Sequence, residues 1–189
     1  MDYDKLLNKN VIKILTVLKK KCYFNQISEL SGIKSKNNLL KNLDLMVSLK
    51  VLKKEKNKSN TFYSVNYENQ FCLSLLQLIN INKFQKLPFE RRKSVLDLIN
   101  EVKPLMCVLF GSSAKGNFKK ESDLDLLLVF DKKKEVDIKE ISSRYGVRIN
   151  VIVLGFSEIN INDETVKHIF KTGYCVIGYN YFYEVFKSV

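Results

Sequence analysis

The pattern of apolar and polar positions predicts three helices in the first fifty residues. The first has apolar residues at helical spacing, namely Val11, Ile12, Ile14, Leu15 and Leu18. A second, shorter helix is predicted after a cap at Asn25, with Ile27 and Leu30 facing inward and Gly32 at its end. A third helix is predicted to begin near Ser35, with an apolar stripe made of Leu39, Leu40, Leu43, Met46 and Leu49.

Polar residues cover the rest of the third helix, and two predicted strands follow it. We expect five of these residues on its outer side: Lys36, Asn37, Asn38, Lys41 and Asn42. The predicted strands, 51–56 and 61–65, flank the polar turn 57–60. Three helices followed by a hairpin resemble the winged helix-turn-helix domains of small prokaryotic transcription regulators. The resemblance implies that the third helix contacts DNA bases and that Lys54, Lys56 and Lys58 of the hairpin contact backbone phosphates.

The charge of the chain is concentrated in this first third. The 189 residues carry a net charge of +12. Residues 1–68 hold 14 lysines against 6 acidic residues (+8), residues 69–104 hold 6 basic against 3 acidic (+3), and residues 105–189 hold 12 against 11 (+1). Such an excess favours binding of nucleic acid through residues 1–68. The alternative is a protein-protein module in which the lysines keep an edge hairpin soluble.

The middle of the chain predicts a helical connection between two domains. Apolar residues recur at helical spacing from 69 to 102 and are interrupted at Leu87-Pro88. We predict a two-domain α/β (α+β) chain: a winged helix-turn-helix over 1–68, a helical linker over 69–88, and a second domain over 89–189 with a mixed sheet flanked by helices. The aromatic-rich end of this second domain packs its core or forms a contact between two copies.

The densest chemistry lies in the second domain. A buried strand over 105–110 leads into the turn Gly111-Ser112, and after a polar interval Asp123 and Asp125 follow. Side chains on a strand alternate between its faces, so both carboxylates are expected to face one small volume. Paired carboxylates with phosphate oxygens suit Mg²⁺. The turn amides, the Ser112 hydroxyl and Lys115 are the candidate nucleotide-binding groups.

Ten positions in this stretch resemble the signature of the minimal nucleotidyltransferases, a prokaryotic and archaeal branch of the superfamily that includes DNA polymerase beta. They are Phe110, Gly111, Ser112, Ala114, Lys115, Gly116, Ser122, Asp123, Asp125 and Leu126. The resemblance implies that Asp123 and Asp125 hold one or two Mg²⁺ ions. It also implies transfer of a nucleotidyl group, usually AMP from ATP or another nucleoside triphosphate, to a hydroxyl acceptor, with loss of pyrophosphate.

The resemblance also implies a third catalytic carboxylate, and here the chain departs from the pattern. The next predicted strand, 147–154, has Asn150 at that position. An amide oxygen carries no charge, so metal affinity and activation of the attacking hydroxyl should both be weaker. Three options follow: slow catalysis, a base supplied by Asp131 or Asp137, or a site that binds nucleotide without turnover.

Two functions from different classes remain open at this point. One is a Mg²⁺-dependent nucleotidyltransferase, with a protein as its acceptor, coupled to a DNA-binding domain. The other is a DNA-binding regulator whose degenerate nucleotidyltransferase domain senses nucleotide or forms dimers. The sequence contains no run of eighteen apolar residues and begins with an acidic segment, so we expect a cytoplasmic protein without a membrane span.

Overall fold

The computed structural model describes residues 8–18, 20–116 and 122–187. It divides into two units, Met1–Ile79 and Asn80–Val189. The division falls inside the segment predicted as a helical linker. Each unit has its own core of buried apolar side chains.

The first unit combines three helices with a small antiparallel sheet. Its elements are α1 (Lys9–Val17), β1 (Cys22–Tyr23), α2 (Phe24–Ser31), α3 (Lys36–Ser48), β2 (Leu52–Lys56) and β3 (Thr61–Val65). The strand order is β1-β3-β2, with both pairings antiparallel. The side-chain oxygen of Asn8 caps α1, that of Ser35 caps α3, and Gly32 ends α2 in the left-handed conformation. The three predicted helices and the hairpin are therefore present.

Four details of the first-unit prediction are wrong. Helix α2 begins at Phe24 rather than after Asn25, because the Gln26 side chain accepts the backbone N–H of Tyr23 and the helix is capped two residues earlier. Leu30 is exposed, since the buried face of α2 runs through Ile27 and Ser31.

The other two errors concern α3. Leu40 is exposed, because it stands one position outside the buried row at 39, 43 and 46. Asn42 does not lie on the outer side: it is only 7% exposed. Its Nδ2 donates to the backbone oxygen of Asn38 at 2.7 Å and to Asn38 Oδ1 at 2.8 Å, so the amide folds back along its own helix.

The second unit is built on a mixed four-stranded sheet. The remaining elements of the chain are α4 (Gln70–Gln85), α5 (Phe89–Val102), β4 (Met106–Phe110), α6 (Gly111–Lys115), β5 (Leu124–Phe130), α7 (Lys139–Tyr145), β6 (Ile149–Gly155), α8 (Glu164–Thr172), β7 (Tyr174–Ile177) and α9 (Tyr179–Phe186). Helix α4 runs through the division between the units and ends before Pro88, as the break at Leu87-Pro88 predicted.

The sheet order is β6-β5-β4-β7, with β5 and β6 parallel and the other pairs antiparallel. The two central strands, β4 and β5, are the most apolar runs of the chain, and most of their side chains are buried. Asp125 is an exception, as a half-buried carboxylate within β5. A buried strand admits such a group where its end opens to solvent.

Candidate functional site

The candidate site lies where β4 ends and where β5 and β6 begin. Phe110 at the end of β4 pairs in register with Asp125, and Asp125 pairs with Asn150 on β6. Antiparallel pairing brings the Gly-Ser turn that follows Phe110 beside the start of β5, and parallel pairing adds the start of β6. Three strands therefore deliver the predicted site residues to one edge of the sheet.

The two carboxylates and Asn150 are in direct contact. Asn150 Nδ2 lies 3.2 Å from Asp123 Oδ2 and 3.1 Å from Asp125 Oδ1, so one amide group bridges the two acids. Asp123 immediately precedes β5 and Asp125 is its second residue. Asn150 occupies the place beside this pair where the resemblance implied a third carboxylate. Its N–H group compensates negative charge there instead of adding to it.

The Gly-Ser turn touches Asp125 directly. Gly111 adopts a positive φ of 68°, a conformation that favours glycine. A Cβ atom at this position would lie 2.1 Å from Asp125 Oδ2 and 3.0 Å from Asp125 Cγ. The carboxylate thus fills the space that any other residue would need. Ser112 follows in the first turn of α6 and is half-buried.

A further cation, Arg148, faces the acidic pair. Its Nε lies 2.9 Å from Asp123 Oδ1, and the two side chains are 74% and 39% exposed. Ion pairs this exposed contribute little stability. Two of the four oxygens in the acidic pair therefore accept a hydrogen bond from Asn150, and a third, Asp123 Oδ1, forms the ion pair with Arg148 but has no hydrogen-bond partner among the described residues.

Sequence reasoning missed Arg91, which is buried next to the site. It lies on α5 and is 5% exposed. Its Nη1 donates to Ser113 Oγ at 2.9 Å, and its Nη2 donates to the backbone oxygen of Ser122. Burial lowers the pKa of Arg91, and the charges of Asp123 and Asp125 oppose that shift. The sequence did contain one indication that Arg91 is buried: it lies four residues before Val95, on the apolar stripe of α5.

A basic pocket adjoins the other side of α6. It has a volume of about 370 Å³ and is lined by Lys83, Lys86, Leu87, Ser113, Ala114, Lys115, Gly116 and Tyr174. Burial first, and then the charge of Lys86, lower the pKa of Lys83. Tyr174 is 3% exposed, and its hydroxyl has no hydrogen-bond partner among the described residues. Three lysines and one buried hydroxyl thus converge beside the turn, and the sequence indicated only Lys115.

One of the two alternative bases, Asp131, lies far from the acidic pair. Asp131 follows the last residue of β5 and is exposed, whereas Asp125 stands near the first. The two residues are six positions apart, which corresponds to about 20 Å along an extended strand. The proposal of Asp131 as a base is therefore wrong. Asp137 Oδ1 accepts the backbone N–H of Lys139 at the start of α7.

The lysines of the first unit that are predicted to contact DNA differ in whether they form an ion pair with an acidic residue. Lys54 lies 3.2 Å from Asp44, and the hydrogen bond to Asp44 is the largest cause of a raised pKa for Lys54. The other lysines predicted to contact DNA form no ion pair within the described part of the chain: Lys36, Lys41, Lys56 and Lys58. They are exposed, as are Asn37 and Asn38.

Part of this surface forms a groove between α1 and α3. The groove has a volume of about 840 Å³ and is lined by Asn8, Lys9, Asn10, Asn38, Lys41, Asn42 and Leu45. Asn42 thus reaches the groove wall, although its amide is engaged within α3. The groove lining includes two lysines, Lys9 and Lys41, and no acidic side chain among the described residues.

Comparison with known proteins assigns the second unit. Residues 91–176 match the family model described as "Nucleotidyltransferase domain". The second unit contains a nucleotidyltransferase domain. The match confirms, at the level of the family, the nucleotidyltransferase domain that the sequence predicted. The matched range includes Gly111, Asp123, Asp125 and Asn150.

The other comparisons add little. One solved structure, described as "Crystal structure of the toxin-antitoxin with AMP-PNP", is similar at 15% identity over 53% of this chain and 86% of that chain, with a TM-score of 0.41. Similarity at that level supports no functional inference. No curated protein matches the chain.

Two searches for other features bear on the nucleotidyltransferase domain and its surroundings. Within residues 8–18, 20–116 and 122–187, no group of three or more His, Cys, Asp or Glu side chains is placed to hold a metal ion. No helix in the same ranges is both long enough and apolar enough to cross a membrane.

Proposed function

We propose that the second unit is a Mg²⁺-dependent nucleotidyltransferase that transfers AMP from ATP to a hydroxyl group, with a protein as the acceptor. The observation that supports this most directly is the contact between Gly111 and Asp125. Because of this contact, the turn that suits phosphates lies directly beside one of the acids that suit a metal. A triphosphate on the turn therefore lies within reach of both carboxylates.

The donor set fits a hard divalent cation. Mg²⁺ is commonly held by one or two carboxylates together with substrate phosphates and water, so Asp123 and Asp125 suffice without a third acid. The bound ion would neutralise phosphate charge and stabilise the attacking and leaving oxygens. Rotation of the Asn150 amide would turn its oxygen, rather than its N–H, toward that ion.

The basic pocket supports a place for the outer phosphates. Lys83, Lys86 and Lys115 supply positive charge, and the Tyr174 hydroxyl supplies a donor that the described residues leave unused. Burial lowers the pKa of Lys83, and an arriving anion would favour its charged form. The pocket thus extends the binding surface beyond the Gly111-Ser112 turn.

In the reaction, the acceptor oxygen bonds to the α-phosphorus, and the bond from that phosphorus to the bridging oxygen of the β-phosphate breaks. Pyrophosphate leaves, and the acceptor hydroxyl loses its proton. In this proposal the proton passes to solvent water. Catalysis then rests on positioning and charge neutralisation, and we expect it to be slow.

A labelling experiment tests this proposal. The protein is incubated with Mg²⁺ and ATP labelled at the α-phosphate or at the γ-phosphate, together with proteins from the source cells as acceptors. Transfer of the α label alone, abolished in Asp125→Asn, is the expected result. Transfer of the γ label would indicate a kinase, and absence of transfer from either would refute the proposal.

A second candidate function is nucleotide sensing without turnover, and one observation favours it. Asn150 donates hydrogen bonds to both acids and Arg148 forms an ion pair with Asp123, so groups of the protein itself offset the negative charge that a bound cation would offset. This candidate predicts saturable ATP binding in equilibrium dialysis and no α-label transfer. Label transfer that requires Asp125 would exclude it.

We further propose that residues 1–68 form a winged helix-turn-helix domain that binds duplex DNA. The order of three helices and a hairpin, the +8 charge and the basic groove support this assignment. Lys41→Gln should reduce the slope of log affinity against log salt by about one. Lys56→Gln should do the same, whereas Lys54→Gln should change it less because Asp44 already neutralises that lysine. Affinity independent of salt would contradict DNA binding.

A further inference from the structure

Arg91 is a charged group in a place where charges are rarely found. It is 5% exposed and stands on α5, where Val95 and Leu98 are fully buried on the same face. Burying a guanidinium is costly unless its donors are satisfied. Such a group is retained where its hydrogen bonds fix something that an apolar side chain cannot fix.

The hydrogen bonds of Arg91 join the two halves of the candidate site. One arm of the guanidinium holds the hydroxyl of Ser113 on α6, and the other holds the backbone oxygen of Ser122, just before β5. The Ser113 hydroxyl in turn donates to the backbone oxygen of Asp123 at 3.4 Å. The helix that follows the Gly-Ser turn is thus tied to the strand that bears the acidic pair.

The Arg91 side chain is long enough to bridge two separate segments of the site. From α5, Arg91 reaches two residues that are nine positions apart in the sequence, Ser113 and Ser122. Its planar fork suits two separate acceptors better than the point charge of a lysine.

We propose that Arg91 is a positioning residue that fixes the distance between the phosphate-binding turn and the metal-binding acids. This inference rests on the proposed function. Arg91 touches neither phosphate nor metal in this account; it acts through Ser113 and Ser122. The positioning role has one specific consequence, which is energetic coupling between the two ligands. A nucleotide on the turn strengthens cation binding at the acids only if the turn and the acids are held at a fixed distance.

The test measures that coupling rather than activity. Binding of Mn²⁺ is followed by electron paramagnetic resonance with and without ATP, and binding of ATP by equilibrium dialysis with and without Mn²⁺. In the wild type, each ligand should tighten binding of the other. In Arg91→Gln the coupling should fall about tenfold, while Mn²⁺ affinity without ATP stays the same or rises because a nearby positive charge is gone. General loss of structure would weaken both separate affinities instead.

Matched variants keep the test decisive. Arg92→Gln removes the same charge from the next position of α5, where the guanidinium contacts the backbone oxygen of Gln85, and it should retain wild-type coupling. Arg91→Lys keeps the charge but loses the fork, and its coupling should fall between those of the wild type and Arg91→Gln. If Arg91→Gln does not fold, Ser113→Ala, which removes one end of the tie, should lower the coupling in its place.

The outcomes separate the inference from the proposed function. Coupling in the wild type that persists in Arg91→Gln, or in Ser113→Ala where the first variant does not fold, would overturn the positioning role alone. A wild-type protein that binds neither Mn²⁺ nor ATP would overturn the proposed function and this inference with it. Loss of coupling in Arg92→Gln as well would show a general charge effect and would overturn the positioning role.

Discussion

Replacing Gly111 with alanine should disable the site by displacing Asp125. The new Cβ would lie 2.1 Å from Asp125 Oδ2, whereas ordinary contact begins at 3.4 Å, so the carboxylate oxygen must move by about 1.3 Å. A displacement of about 1 Å in a reacting group costs about 100-fold in rate. The positive φ of 68° adds about 1–2 kcal/mol of backbone strain.

A second glycine separates these two effects. Gly116 also has a positive φ, of 75°, but the described structure places nothing within 4 Å of a Cβ there. Gly116→Ala therefore bears the strain without the collision. Both variants should lower the melting temperature, by about 2–4 °C per kcal/mol. Only Gly111→Ala should lose α-label transfer and weaken Mn²⁺ binding.

The comparison of the two variants can refute this reasoning. If Gly111→Ala folds and binds Mn²⁺ as the wild type does, the turn does not constrain Asp125. If Gly116→Ala loses as much transfer as Gly111→Ala, backbone strain rather than the collision is responsible. Circular dichroism of each variant checks that the fold is retained.

The remaining predictions concern side chains around the same site. Asn150→Asp should tighten Mg²⁺ binding and raise the transfer rate roughly tenfold or more, because it restores a third carboxylate; a slower variant would show that the amide itself is needed. Arg148→Gln should tighten Mg²⁺ binding by up to about fivefold in calorimetry, since an exposed ion pair to Asp123 is worth about 1 kcal/mol or less; weaker binding would contradict competition between Arg148 and the cation. Lys86→Gln should raise KM for ATP about tenfold, the value of one charge-assisted hydrogen bond; an unchanged KM would place the phosphates elsewhere.

The last of these predictions has a control on the same unit. Lys93 is exposed on α5 and pairs with Asp97 at 3.3 Å, so Lys93→Gln removes an equal charge away from the basic pocket. Its KM should match that of the wild type. An equal rise in both variants would indicate that net charge, rather than the pocket, governs ATP binding.

The residues that the sequence located share short-range signals. Gly111, Asp123 and Asp125 lie within fifteen positions of one another, and the turn and the strand alternation are local properties. Asn150 was located through the family resemblance, which implied a third carboxylate on the next predicted strand, 147–154. The register of β5 and β6 then places it beside Asp125.

What the sequence did not locate depends on tertiary contacts. Arg91 looks like a surface charge until α5 packs against the sheet and buries it. Lys83 belongs to the basic pocket only because the end of α4 meets α6 and β7. Helical periodicity placed Asn42 on the solvent-facing side of α3, but it could not show that the amide of Asn42 hydrogen-bonds to Asn38 on the same helix. Asp131 seemed near Asp125 in the chain, although a strand places six residues about 20 Å apart.

A crystal structure of the protein with Mn²⁺ and a non-hydrolysable ATP analogue tests the central claim most directly. Anomalous scattering locates the metal independently of the protein chain. We predict one strong peak within coordination distance of Asp123 and Asp125, with the outer phosphates between the Gly111-Ser112 turn and the basic pocket. A nucleotide bound away from this edge of the sheet, or a metal peak without contact to either acid, would contradict the account.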